Sequence, residues 1–216
     1  MPARSDEPSP SGGQALLGFS GAVFVFQNVP AVAGAAADWI DLATPFAVIG
    51  TSALLLRRGA TALVLFIAVF GALLYVSGHG IHLAANSIDY ERLTGDARDI
   101  AFFWDEEWGH IQWHLGWFVL IVGFCLAERE RPVGVEPALG ALSALLLATT
   151  LFTNTVEGGT WWLELAATAV LVPWALVARR PLLAAFAAAF ALCAVAIGGW
   201  TAWHGGVPEF SDLGWL

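Results

Sequence analysis

Long uninterrupted runs of apolar residues dominate this sequence. Each run approaches the roughly 20 residues that a helix needs to cross about 30 Å of bilayer hydrocarbon. The run over 182–199 shows no alternation of apolar and polar positions, which a transmembrane barrel strand would require. Because the bilayer interior offers the backbone no hydrogen-bond partners, these runs predict membrane-spanning α-helices.

Seven such helices are predicted, and they define an all-α, polytopic transmembrane bundle. Their approximate ranges are 15–35, 40–57, 60–86, 107–127, 136–154, 159–178 and 181–203. A single transmembrane domain therefore covers 15–204. Residues 1–14 are rich in Ser, Pro and Gly and are predicted to form a disordered cytoplasmic tail, and 205–216 form an extracytoplasmic C-terminal segment.

The first predicted helix has an alternative interpretation. Gln27, Asn28 and Pro30 interrupt it, and small residues follow, as near a signal-peptide cleavage site. The residues before it carry one arginine beside Asp6 and Glu7, which is a poor positive region for a signal peptide. We therefore expect seven retained helices, or six if the first is a cleaved signal.

Composition supports a membrane protein and excludes some functions. Of all residues, 58% are hydrophobic and only 12% are charged, and the net charge is −9. Such an acidic chain, without a basic patch, is not expected to bind nucleic acid. Cys125 and Cys193 lie singly in apolar runs, so neither a disulfide nor a thiolate metal site is expected.

The positions of the arginines predict the orientation of the chain, because cytoplasmic loops are enriched in basic residues. Seven of the nine fall on one side once the helices are laid antiparallel; these are Arg4, Arg57, Arg58, Arg129, Arg131, Arg179 and Arg180. The N-terminus is therefore predicted inside and the C-terminus outside, with the protein multi-pass in the cell membrane.

All five histidines are predicted to lie at the opposite, extracytoplasmic end. His79 and His82 fall near the end of the third helix, His110 and His114 near the start of the fourth, and His204 at the end of the seventh. A single histidine near a membrane interface is usually solvated or hydrogen-bonded, and that interpretation is favoured for His204.

The other four histidines fall into two stripes with the spacing i, i+3, i+7. The stripes are His79, His82 and Asn86 on the third helix and Glu107, His110 and His114 on the fourth. At 3.6 residues per turn each stripe occupies one helix face, and both lie at similar depth. Two facing stripes of this kind can enclose a cation, so His79, His82, Glu107, His110 and His114 are predicted metal ligands.

Three further residues are predicted to be catalytic. Glu164 is a carboxylate inside the sixth helix, and intramembrane carboxylates are functional candidates because burying them is unfavourable. Glu106 lies four residues before His110, and Asn86 completes the first stripe, although it could equally cap its helix. Asp41, at the start of the second helix, is a weaker candidate of the same kind.

These residues favour a metal-dependent membrane enzyme, most simply a hydrolase of a lipid-like substrate. A divalent ion, zinc first, would activate water at headgroup depth, and a nearby carboxylate would act as base. Two alternatives stay open at this point. One is a redox protein holding iron, copper or haem, and the other is a metal or proton transporter, whose site should lie nearer the midplane.

Overall fold

The chain is described by a computed structural model over residues 11–56, 60–88 and 92–215, and these residues are almost entirely helical, without a β-strand. A π-helical segment at Phe103–Gly109 lies between α4 and α5. Within the described ranges, the eight α-helices are α1 (Gly12–Asn28), α2 (Ala37–Leu56), α3 (Ala62–Asn86), α4 (Asp96–Phe102), α5 (His110–Glu130), α6 (Pro137–Glu157), α7 (Trp161–Ala178) and α8 (Pro181–His204).

Seven helical stretches of the described residues are long and apolar enough to cross a membrane. Because α4, the π segment and α5 form one continuous stretch, Asp96–Glu130, they count as a single span. The predicted all-α polytopic bundle of seven spans is thereby confirmed. Its orientation in the membrane stays a prediction, and Arg4, Arg57 and Arg58 lie outside the described residues.

The first two spans differ from their predicted limits for local reasons. α1 begins at Gly12, within the predicted tail, because Ser11 and Gln14 form a reciprocal capping box. The helix ends at Asn28, before Pro30, and two short 3₁₀ turns lead to α2. The remainder of the predicted tail, residues 1–10, lies outside the described residues.

The fourth span was predicted to begin at 107, but the helix starts at Asp96. The predicted helix included Glu107 but not Asp105 or Glu106, and all three lie in the π segment. Acidic residues are compatible with a helix here because part of the segment faces a polar cavity rather than lipid.

Close packing of α3 against α5 builds the part of the bundle that carries the histidines. Gly71 and Gly78 of α3 face the α5 backbone at Leu120 and Trp113, with no room for a side chain. Small residues at such an interface let two helices approach closely, which is how membrane helices gain packing energy. The same α3–α5 contact fixes the spacing between the two histidine stripes.

The remaining helices complete a single aromatic core. α1 packs on α2 and α6, and α8 packs on α6 and α7. In the centre, the ring of Phe19 stacks on Trp117 and meets Phe124 and Phe186 edge-on. The outer faces stay apolar, as at Val177, which is 84% exposed, and this is the surface expected to contact lipid.

Two carboxylates tie helices together at the end of the bundle opposite the histidines. Glu128, fully buried, accepts hydrogen bonds from the backbone N–H groups of Leu182 and Leu183 at 2.8 and 3.0 Å, at the start of α8. Glu130 accepts from both the backbone N–H and the hydroxyl of Thr61, at the start of α3. Both carboxylates satisfy donors that a helix N-terminus leaves free.

The C-terminal segment folds back over the end of the bundle that holds the histidines. α8 ends at His204, and the next residue, Gly205, caps the helix in the left-handed conformation with a positive φ of 73°. The Trp200 indole then donates to the carbonyl of Pro208. Glu157, at the end of α6, accepts hydrogen bonds from the backbone N–H groups of Phe210 and Ser211.

Candidate histidine–carboxylate site

A polar cavity of about 470 Å³ opens at this end of the bundle. It is lined by Gln27, Pro30, Asp41, His82, Asn86, Phe102, Glu106, His110, Trp113, Asn154, Glu157, Gly158, Glu209 and Ser211. A concave site with a few convergent polar groups is the usual form of a small-molecule or catalytic site. All four clustered histidines lie in or immediately beside it.

His82 is held by a carboxylate that the sequence did not reveal. Its Nδ1 lies 2.7 Å from Oδ1 of Asp105, which is completely buried in the π segment. The carboxylate sits off the ideal N–H direction, so the contact is a close approach to the ring rather than an aligned hydrogen bond. Gly109 lies against the backbone and Cβ of His82 and lets the π segment approach α3.

His79 is almost completely buried and is held by the start of α2. Its Nε2 lies 3.0 Å from the backbone carbonyl oxygen of Asp41 and 3.2 Å from a carboxylate oxygen of the same residue. Because the carbonyl can only accept, Nε2 carries the proton. In the described part of the chain, nothing hydrogen-bonds Nδ1.

His110 packs against His82 inside the cavity, with their ring centroids 4.4 Å apart. Its Nδ1 donates to the backbone carbonyl of Glu106 at 3.1 Å, and one Glu106 carboxylate oxygen is 3.7 Å away. The ring also fills the space that a Cβ on Gly158 would occupy. The end of α6 thus fixes one side of His110, and α3 fixes the other.

His114 and Glu164 form a buried pair deeper in the bundle. Nδ1 of His114 lies 2.8 Å from Oε1 of Glu164, and both side chains are at most 5% exposed. Nε2 of His114 and Oε2 of Glu164 find no hydrogen-bond partner among the described residues. The pair joins α5 to α7, next to an apolar cavity of about 210 Å³.

Trp113 is the common neighbour of all four histidines. Its ring centroid lies 4.9 to 6.0 Å from those of His79, His82, His110 and His114. The Trp113 indole is therefore a wall that all four imidazoles share.

A network of amides and hydroxyls closes the cavity on the α1 side. The Gln27 amide donates to the Tyr75 hydroxyl at 2.7 Å and accepts from Asn154 at 2.6 Å. Asn28 donates to Thr150 and accepts from Thr153. The polar interruption in the first predicted helix is therefore an interhelical network, since these bonds link α1 to α3 and α6.

Most of the residues singled out from sequence come together, but one does not. His79, His82, His110 and His114 share one site, Asn86 and Glu106 line the cavity, and Glu164 pairs with His114. Glu107 is exposed and is not brought to the histidines. A π helix has more residues per turn than an α-helix, so the Glu-x-x-His spacing no longer places Glu107 on the face of His110.

Within the described ranges, no three His, Cys, Asp or Glu side chains are arranged to hold a metal ion. The histidines do not converge on one point because each turns one ring nitrogen to its own carboxylate or carbonyl partner. Such partners orient ligating imidazoles in many metalloproteins. The metal site therefore stays a prediction.

Several site residues were missed by sequence reasoning. Asp105 was not predicted because it lies five residues before His110, off the helix face that residues at i−3 and i−4 share with that histidine. Asn154 and Glu157 could have been found as polar residues at the end of an otherwise apolar helix. Glu209 lines the cavity from the C-terminal segment, where burial, reinforced by the negative charges of Glu106, Asp212 and Glu157, raises its pKa from 4.5 to about 7.

Comparison with known proteins adds no relative to this picture. No family model matches the chain, and no curated protein and no solved structure is significantly similar to it.

Proposed function

We propose that this chain is an integral-membrane hydrolase that cleaves a lipid-like substrate in the cavity beside His82 and His110. The observation that carries the proposal is the His82–Asp105 pair, in which a fully buried carboxylate contacts Nδ1 of a histidine that lines a polar cavity. A carboxylate at Nδ1 favours the tautomer whose Nε2 accepts a proton, which is the arrangement of a general base.

The proposed reaction uses water as the nucleophile. Nε2 of His82 would take a proton from water as its oxygen attacks the substrate's acyl or phosphoryl centre, and the ester bond to the leaving oxygen would then break. The protonated His82 would then return this proton to the leaving oxygen, and His110 packs against its ring in the same cavity. Asn86 and Gln27 offer amide donors toward developing negative charge in the same cavity.

A second form of the proposal replaces the His82 base with a divalent metal ion, zinc first. The nitrogens that would face such an ion are Nε2 of His82 and of His110, because Nδ1 of each is already engaged. A third ligand would have to come from a cavity carboxylate such as Asp41 or Glu106. Bound there, the ion would lower the pKa of its water towards about 7.

The test combines metal analysis with lipid analysis of the purified protein in nanodiscs made from bacterial lipid extract. Wild type is expected to release a new lipid fragment, detected by mass spectrometry, and Asp105→Asn or His82→Ala is expected to slow release by about 10²- to 10⁴-fold. His204→Ala is the matched control, because His204 contacts Trp200 outside the cavity.

Two results would contradict parts of this proposal. Equal lipid turnover in wild type and His82→Ala would remove His82 as the base. Less than about 0.1 equivalent of zinc, iron or copper, unchanged in His82→Ala/His110→Ala, would remove the metal and leave the His–Asp mechanism. If a metal binds, its occupancy should fall below about pH 6, because the ligating imidazoles must be neutral.

Proton transport is the second candidate, and the His114–Glu164 pair favours it. This buried pair extends the ionisable groups inward from the cavity, as in intramembrane proton relays. Proteoliposomes loaded with a pH-sensitive dye separate the two functions. Proton flux that Glu164→Gln abolishes, with no lipid turnover, would replace the hydrolase by a transporter.

A further inference from the structure

A groove of about 550 Å³ lies between α2 and α3 on the outer surface of the bundle. Most of the residues that line it are apolar, and some of these are highly exposed, such as Phe46, which is 78% exposed. Because both helices are membrane spans, this surface faces hydrocarbon. The volume falls within the roughly 300–1,000 Å³ that small-molecule sites occupy.

His79 is the ionisable residue in this apolar lining. It is 1% exposed, and its Nδ1 finds no hydrogen-bond partner in the described ranges. A buried polar atom without a partner is destabilising, so a ligand that supplies the missing bond would bind favourably. Since Nε2 donates to the Asp41 carbonyl, Nδ1 is an acceptor and requires a hydroxyl or amide N–H.

The same two residues connect the groove to the polar cavity. Asp41 lines the cavity, His79 lines the groove, and the two side chains touch at 3.2 Å. An amphipathic molecule can therefore place its hydrocarbon chain in the groove and its polar group in the cavity. Only the contact between His79 and Asp41 separates the two.

We propose that the α2–α3 groove holds the hydrocarbon chain of a membrane lipid whose hydroxyl or amide N–H donates to Nδ1 of His79. The polar end of that lipid reaches the cavity beside His82. This inference rests on the proposed function, because it names the class of substrate for the same site: a lipid with a hydrogen-bond donor close to its chain.

Two glycines make the groove testable without disturbing the packing of the bundle. Gly50 on α2 and Gly80 on α3 line the groove, and a Cβ built on either meets nothing within 4 Å. Leucine at these positions would fill the groove from opposite walls. Gly198 on α8 is equally open and lies outside the groove lining, so Gly198→Leu is the matched control.

The experiment uses a photoactivatable monoacylglycerol, which carries hydroxyl donors, in nanodiscs of phosphatidylcholine. Crosslinks mapped by mass spectrometry are expected on groove residues such as Phe46 and Leu83. Gly50→Leu and Gly80→Leu should each reduce them by about tenfold, equivalent to roughly 1.4 kcal/mol, whereas Gly198→Leu should not. A photoactivatable phosphatidylcholine, which has no donor, should label the groove more weakly, and His79→Phe should remove that difference.

Labelling spread evenly around the bundle, or unchanged by both leucine variants, would overturn the proposal. So would equal labelling by the two lipids in wild type. Thermal unfolding in detergent checks that each variant is folded. If the groove is labelled as expected but no lipid is cleaved, the lipid-binding proposal is supported and the hydrolase proposal is contradicted. If lipid is cleaved equally by wild type and both groove-filled variants, the hydrolase proposal is supported and the lipid-binding proposal is contradicted.

Discussion

At the scale of single residues, the site is organised by pairing rather than by clustering around one point. His82 pairs with Asp105, His79 with Asp41, and His114 with Glu164. A buried imidazole without a partner is unfavourable, so each ring is fixed by the nearest acceptor. The sequence shows which side chains are ionisable, but it does not show which acceptor each one meets.

Glu164 and Glu107 provide a direct comparison, because both were candidates from the sequence and only Glu164 is buried. Glu164→Ala is expected to destabilise the protein by about 3–5 kcal/mol, since it leaves His114 buried without its partner. Glu164→Gln keeps an acceptor and should lose about 1 kcal/mol. Glu107→Ala should change little, as expected for an exposed side chain.

Unfolding in mixed detergent with increasing denaturant measures these differences. The control is His114→Ala/Glu164→Ala, which should be less destabilised than the two single variants together, because the pair is lost as a unit. Strictly additive losses would show that the two side chains do not interact.

At the scale of elements, the π segment at Phe103–Gly109 decides which acid meets the histidines. With regular α-helical geometry, Glu106 and Glu107 would share the face of His110. The wider turns instead bury Asp105 against His82 and leave Glu107 exposed. Such π segments recur at functional sites, and here the segment was not visible in the hydrophobic pattern.

Deleting Glu107 should shorten this segment to α-helical turns and rotate Asp105 by about 100° relative to α5. The energetic coupling between His82 and Asp105, expected at about 1–3 kcal/mol in a double-mutant cycle of unfolding, should disappear in the deletion. Glu107→Ala removes the same side chain without changing the register and should preserve the coupling. Coupling that survives the deletion would show that the segment does not position Asp105.

At the scale of the whole molecule, the C-terminal segment covers the cavity end of the bundle. Glu157 holds the backbone of Phe210 and Ser211, and the ring of Phe210 packs on Trp200 and Trp215. The segment was predicted only as an extracytoplasmic end. In the structure it contributes Glu209 and Ser211 to the cavity lining, so the site is built from residues across most of the chain.

Glu209 should make the stability of this segment depend on pH. Its pKa is raised from 4.5 to about 7, first by burial and then by Glu106, Asp212 and Glu157. The folded state therefore holds a proton that the unfolded state releases between these values. The stabilisation is fully present below about 4.5, declines as pH rises through this window and is lost above about 7.

The measurement is the melting temperature of wild type relative to Glu209→Gln, from about pH 4 to about pH 9. Wild type should lose stability relative to the variant as pH rises, and the difference should level off above about 7. Because glutamine stays neutral, it mimics the protonated carboxyl throughout. A difference that does not vary with pH would show that Glu209 titrates normally.

The sequence by itself determined the spans and the approximate place of the site. The length of the apolar runs is enough to predict the spans, because any helix that crosses the bilayer must match the thickness of its hydrocarbon core. Helical periodicity was enough to bring His79 and His82 near His110 and His114. The tertiary structure alone decided their partners, since Asp105, Asp41 and Glu164 lie on other elements. It also decided that the acid of the π segment facing the histidines is Asp105 rather than Glu107, because a change of helical pitch leaves no trace in hydrophobic periodicity.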